Sequence, residues 1–222
     1  TAILAVAAML VATALGVPLG RLSGREPRGA GRIVRALSLA VLSLPPLLSS
    51  LVLVFIAART GWLPAGGMTS GGLAGVAWAL DVLRHLPVPA LALALPMAAT
   101  LERLQARSMA EALARPFVTA SLARGLDRAA AARVHAWPVS LAPVLGAYGV
   151  LVGSLFSGSF VVELVTGWPG LGLLLFDALN ARDVWLVAGC GAAGAVSLAA
   201  GTTLADVVHA AIDPRVLEAR RT

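Results

Sequence analysis

Five stretches of this chain run without a charged residue for close to the length a membrane-crossing helix requires: 1–20, 36–58, 86–101, 136–162 and 184–205. A helix crossing a bilayer core needs about 20 mostly apolar residues, and only helices and closed barrels satisfy their own backbone groups there. Each stretch is bounded by arginines or acids, the shortest having His85 at its edge. The chain therefore reads as all-α, a polytopic transmembrane helix bundle with five spans. Composition agrees: 13% of residues are charged, where a soluble domain carries about 25%, and the mean hydropathy is +0.88.

Residues 60–80 also lack charge, but their glycines, Pro64 and the polar Thr69 and Ser70 read as a loop or surface segment. Orientation follows from the basic residues, which gather in short cytoplasmic loops. With the 21–35 loop cytoplasmic, alternation puts fourteen of the seventeen arginines on that side, in 21–35, 103–133 and 215–221. Only Arg59, Arg84 and Arg182 fall outside, so the C-terminus is expected inside. Trp62, Trp78, Trp168 and Trp185 then fall near the outer interface and Trp137 near the inner one, as an aromatic belt predicts. The chain opens at Thr1 directly into an apolar span, and we expect a further span to precede it in the native protein.

Several chemistries are set aside by residue type. All seventeen basic residues are arginine, so the lysine of a phosphate-binding P-loop is missing and ATP hydrolysis is expected on a partner. The single cysteine, Cys190, permits no internal disulfide framework, and His85, His135 and His209 show no metal-ligand spacing. The net charge of +6 does not form the basic stripe that nucleic acid requires. Glu163 and Asp206 lie only at span ends, leaving an ion-coupled carrier without an obvious midplane relay.

Gly16-x-x-x-Gly20, Gly149-x-x-x-Gly153 and the small residues of 188–200 offer faces where helix backbones can approach closely. Pro45, Pro46, Pro89, Pro96 and Pro143 fall within or at the ends of spans and are expected to kink them.

The 102–138 segment is longer than the roughly 2–8 residues that join helices in a bundle. The third span is expected to continue over 102–115. A short helix then runs over 117–124, stopped by Gly125, and another over 128–137, capped by Asp127. In the short helix Phe117, Val118 and Leu122 are bulky and apolar. That pattern fits docking into a groove of another protein, and equally packing against the chain's own bundle.

At these residues the chain resembles the inner-membrane permeases of binding-protein-dependent ABC importers, in the dipeptide, oligopeptide and nickel branch. Residues 117–126, F-V-T-A-S-L-A-R-G-L, resemble that branch's form of the E-A-A-x-x-x-G loop, close to Y-V-R-T-A-R-A-K-G-L, matching at Val118, Ala123, Gly125 and Leu126. They depart from it at Thr119 and Leu122, where the branch has basic residues. Gly16-Val-Pro-Leu-Gly20, Gly61-Trp-Leu-Pro64, Arg84-His-Leu86, Phe160-Val-Val-Glu163, Pro169-Gly-Leu-Gly172, Arg182-Asp183 and Ile212-Asp-Pro-Arg215 follow in the family's order.

The resemblance implies a type I ABC importer permease fold forming one transmembrane domain over 1–222, with 102–138 as its cytoplasmic coupling segment and the family's first span absent. It implies a bacterial or archaeal plasma membrane and a heterodimer with a second permease. Two ATPases carry the ATP and magnesium, and an extracytoplasmic peptide-binding protein delivers substrate. This chain itself then holds no catalytic residue, cofactor or metal. The coupling surface is expected at Phe117, Val118, Ala120, Ser121, Leu122, Ala123, Arg124 and Gly125. The segment facing the binding protein is expected at Glu163, Trp168, Pro169, Gly170, Gly172, Asp177, Arg182 and Asp183, the last three charges placed to pair with one another or with that protein. An ion-coupled carrier and a structural membrane protein are the competing readings.

Overall fold

The structure, a computed structural model, describes residues 1–26 and 28–212. Asp213 and Arg215, expected in a helix-ending turn, lie outside the described residues. Among the described residues every regular element is helical: α1 (Ala2–Arg25), α2 (Ala30–Leu42), α3 (Pro46–Thr60), α4 (Gly75–His85), α5 (Pro87–Leu113), α6 (Pro116–Ala123), α7 (Arg128–Ala131), a π-helical turn (Ala132–Ala136), α8 (Trp137–Thr166), α9 (Leu171–Ala181) and α10 (Val184–Ile212).

The punctuation is local chemistry. Pro46, Pro87 and Pro116 sit at helix starts, where a missing N–H costs nothing. Gly61 ends α3 in the left-handed region at φ +66°. Asp183 starts α10 by accepting the Leu186 N–H at 3.0 Å.

Three helical runs are long and apolar enough to cross a membrane: Ala2–Arg25, Arg128–Thr166 and Val184–Ala211. Two bent pairs pass the same test, Ala30–Leu42 with Pro46–Thr60 and Gly75–His85 with Pro87–Leu113, bent by 103° and 42°. The multi-pass membrane character expected from the apolar stretches is present, with two corrections. The 36–58 stretch is kinked, as its prolines predict. It breaks at residues 43–45 because Pro45 and Pro46 in tandem withhold two backbone donors and bar their predecessors from helical geometry. Residues 75–80, read with 60–74 as a loop or surface segment, belong to the helix Gly75–His85, since the glycine run ends at Gly75 and V-A-W-A-L-D-V-L follows unbroken. The helix expected over 128–137 is the first part of α8's run rather than a separate element.

The chain forms two compact units, each drawing on three segments. The first comprises Thr1–Val11, Leu44–Pro96 and Leu151–Gly201. Its buried residues include Leu4, Ala8, Val88, Leu93, Leu155, Val162 and Trp168. Trp168, expected at an interface, is instead 1% exposed. The turn at Gly167, φ +62°, and the bond from Trp168 N–H to Glu163 O at 3.0 Å fold it inward.

The second unit comprises Ala12–Ser43, Met97–Val150 and Thr202–Thr222. Its core is organised by α1 lying against α5. A Cβ on Gly16, Gly20 or Gly24 would fall 2.4–2.5 Å from the carbonyl oxygens of Ala98, Glu102 or Ala106, so only glycine permits the approach. Beside this seam lies a buried polar group: Ser23 donates to Glu102, Gln105 Nε2 donates to Ser140 Oγ at 2.8 Å, and Ser108 donates to the Ser140 carbonyl at 2.8 Å. Glu102 and Gln105 are at most 1% exposed. The other predicted motif behaves differently, because Cβ atoms on Gly149 and Gly153 would meet only Asp206 and Leu198, at 3.7 and 3.9 Å.

Candidate functional site

The short helix α6 is divided lengthwise. Val118 and Ser121 are buried, at 4% and 5% exposure, while Phe117, Thr119, Ala120, Ala123 and Arg124 are exposed. Val118 joins a buried apolar cluster with Met109 and Ala112 of α5 and with Ala131, Ala132 and Ala136 of the segment that follows. Leu113, Leu122, Leu126 and Trp137 pack around it. Of the two sequence readings of this helix, packing against the chain's own helices describes the face that carries Val118.

The end of α6 is a Schellman stop. Leu126 N–H donates to Ser121 O at 3.2 Å and Gly125 N–H to Leu122 O at 3.0 Å, with Gly125 at φ +91°. No atom lies within 4 Å of where a Gly125 side chain would begin, so glycine is required there by the backbone and not by crowding. Asp127, as expected, caps the next turn by accepting the Ala130 N–H. The π-helical turn then leads to Trp137, whose ring lies 4.6 Å from the Arg21 guanidinium carbon, a cation–π distance.

All eight residues predicted for coupling thus lie on one continuous helix and its stop, with Val118 and Ser121 turned into the protein. What the sequence did not single out is the platform beneath. Ala132 and Ala136, spaced by one helical turn, carried the available signal.

The second predicted set is built around Glu163, which is 0% exposed. Its Oε2 accepts the Gly172 N–H at 2.7 Å, and the Thr1 nitrogen lies 3.4 Å from Oε1. Thr1 Oγ1 accepts the Leu171 N–H at 2.7 Å, and Thr166 O accepts from Gly67 at 2.8 Å. A Cβ on Gly170 would sit 2.3 Å from the Glu163 carboxyl carbon, and one on Gly172 would sit 2.5 Å from Phe160 Cα. The segment therefore wraps its own buried carboxylate.

Glu163, Trp168 and Gly172 are buried, while Pro169, Asp177, Arg182 and Asp183 are exposed. Asp177, Arg182 and Asp183 form no ion pair with one another. Instead Asp183 caps α10, and Arg182 closes α9 at φ +54°. Among the described residues no three His, Cys, Asp or Glu side chains gather as metal ligands.

Comparison with known proteins matches residues 16–218 to the family described as binding-protein-dependent transport system inner membrane component. The oligopeptide transport system permease protein OppB of Mycobacterium tuberculosis is 35% identical over 214 residues, covering 92% of this chain and 66% of that protein. AppB of Bacillus subtilis, an oligopeptide transport system permease protein, is 28% identical over 97% of this chain and 68% of its own length. The dipeptide transport system permease protein DppB of Escherichia coli is 29% identical over 96% of this chain and 69% of its own. The chain thus spans about two thirds of the length of these relatives.

Proposed function

Because this chain belongs to the family of binding-protein-dependent transport system inner membrane components, we propose that it is the permease subunit of an ATP-driven importer of peptides, moving substrate inward by alternating access. The observation that carries the reading is the division of α6: Val118 is anchored in the cluster while Phe117, Ala120 and Arg124 present an exposed surface. A helix rooted on one face and open on the other can transmit a push without melting. Its Schellman stop holds the exposed surface in a fixed attitude.

In this reading two ATPase subunits, carrying ATP and magnesium, dock on α6 and its counterpart in a second, homologous permease. Their closure drives the helices that α6 is packed against. An extracytoplasmic binding protein delivers peptide to the exposed residues of 163–183, while Glu163 and Gly172 keep that segment in shape. The chain lies in the plasma membrane of a bacterium or archaeon with its C-terminus in the cytoplasm, and ATP is hydrolysed on the partners. Peptides are favoured as cargo because OppB, AppB and DppB are named for oligopeptide and dipeptide transport.

The test is uptake of labelled dipeptides and oligopeptides into proteoliposomes holding the complete assembly. We expect uptake that requires ATP, survives collapse of ion gradients and is lost with Phe117→Asp. Uptake that follows an ion gradient without ATP overturns the reading.

A further inference from the structure

The cluster that receives Val118 occupies one end of a single stripe along α5. Glu102, Gln105, Met109 and Ala112 recur there at helical spacing, and all four are at most 3% exposed. Met109 and Ala112 belong to the apolar cluster that packs Val118. Gln105 and Glu102, one and two turns along the helix from Met109, carry hydrogen bonds instead.

The segment leading into α8 presents a matching line. Ala132, Ala136 and Ser140 follow one another at intervals of four through the π-helical turn, each buried. Ala132 and Ala136 complete the cluster around Val118. Ser140 Oγ donates to Trp137 O at 2.8 Å, which leaves its lone pairs to accept from Gln105 Nε2 at 2.8 Å. Ser108 Oγ donates to Ser140 O, also at 2.8 Å. On α1, Ser23 Oγ donates to Glu102 and lies 3.3 Å from Gly20 O.

The kind of contact decides what this arrangement can do. Apolar side chains shift past one another at small cost, because each dispersion contact is weak and has no direction. A buried hydrogen bond fixes register, since losing it leaves a polar group stranded away from water. Here apolar packing holds α6 to α5 and to the turn before α8. Polar bonds over the next two turns fix α5 against α8 and α1. α6 therefore rests on helix segments that do not slide separately without breaking a buried bond.

We propose that Ser23, Glu102, Gln105, Ser108 and Ser140 are positioning residues for coupling: their bonds make the parts of α1, α5 and α8 in the second unit move as one body with α6. The proposal rests on the import reading. It gives buried residues outside 117–125 a share in converting the stroke of the ATPases into movement of peptide.

The experiment uses the complete assembly in proteoliposomes. Gln105→Met, Ser108→Ala and Ser140→Ala together remove both α5–α8 bonds with their side-chain partners, so none of these donors is left buried and unpaired, a change nearly neutral for stability. We expect the apparent Tm and the co-purified ATPase to match wild type while the peptide moved per ATP hydrolysed falls about threefold or more, the size of effect of residues that carry coupling between sites. Ser108→Ala alone, which keeps the Gln105 bond, should fall between the two. A second measurement does not depend on how that variant folds. Spin labels on Thr119→Cys in α6 and Val150→Cys in α8, both exposed positions, in a Cys190→Ala background, read one distance with and without a non-hydrolysable ATP analogue. A single body gives the same distance in both states. A distance that changes with nucleotide, or an unaltered peptide-to-ATP ratio in the triple variant beside a wild type that transports, overturns the proposal alone. Absence of ATP-dependent uptake by wild type overturns the import reading and the proposal with it.

Discussion

Gly20→Ala adds one methyl group at the tightest kind of position in the second unit. The new Cβ falls 2.5 Å from the Glu102 carbonyl oxygen and 2.6 Å from Gln105 Cβ, whereas non-bonded carbons rest at about 3.5–4.0 Å. Neither neighbour is the free end of a side chain. Relief therefore requires α1 and α5 to part by about 1 Å, which loosens contacts along the whole seam. Overpacking of this kind costs about 1–3 kcal/mol, and the better helix propensity of alanine returns at most about 1 kcal/mol. A net loss of about 1 kcal/mol lowers the apparent Tm by about 2–4 °C in a chain of this size.

Gly194→Ala is the control, because nothing lies within 4 Å of its added methyl. It makes the same chemical change with the propensity gain alone. The assay is the apparent Tm of the detergent-solubilised protein, read by size-exclusion after heating. Gly20→Ala melting indistinguishably from Gly194→Ala would refute the argument that the glycine seam sets the distance between α1 and α5.

Val118→Asp places a carboxylate in the cluster of Met109, Ala112 and Ala131 and should destabilise by about 3–5 kcal/mol. Phe117→Asp, on the exposed face, should stay within about 0.5 kcal/mol of wild type while the ATPase that co-purifies is lost. Gly125→Ala meets no atom but must adopt φ +91°, at about 1–2 kcal/mol. Hydrogen exchange should quicken at Gly125 and Leu126, with Gly125→Asn intermediate. Glu163→Ala removes the acceptor of the Gly172 N–H, a loss of about 1–3 kcal/mol for a buried donor left unpaired. Limited proteolysis should then cut faster within 163–183 while the α6 region keeps its wild-type rate.

How much was legible beforehand differs between the two candidate surfaces. The α6 surface was readable almost completely, because a proline start, a glycine stop and an aspartate cap act within one turn of themselves. Even there, the burial of Val118 and Ser121 depends on Met109 and Ala132, which approach from other elements. The 163–183 segment was recognised as a unit, but Glu163 and Trp168 were placed on its outside. Their burial arises from Gly167, Gly170 and Gly172 curling the backbone around the carboxylate. The two glycine motifs make the same point. Gly16 and Gly20, extended by Gly24, press on a backbone, while Gly149 and Gly153 meet only side chains at ordinary distance.

The sequence by itself determined that the chain is helical, multi-pass and punctuated where it is. An unpaired backbone group in lipid is so costly that apolar length, proline and glycine leave few alternatives. Only the tertiary structure decided which glycines face a neighbouring helix, and that Arg35, Arg103 and Arg107 line one cavity. Those outcomes depend on the rotation and approach of helices distant in sequence, and no local run of residues encodes the facing of two helices toward each other.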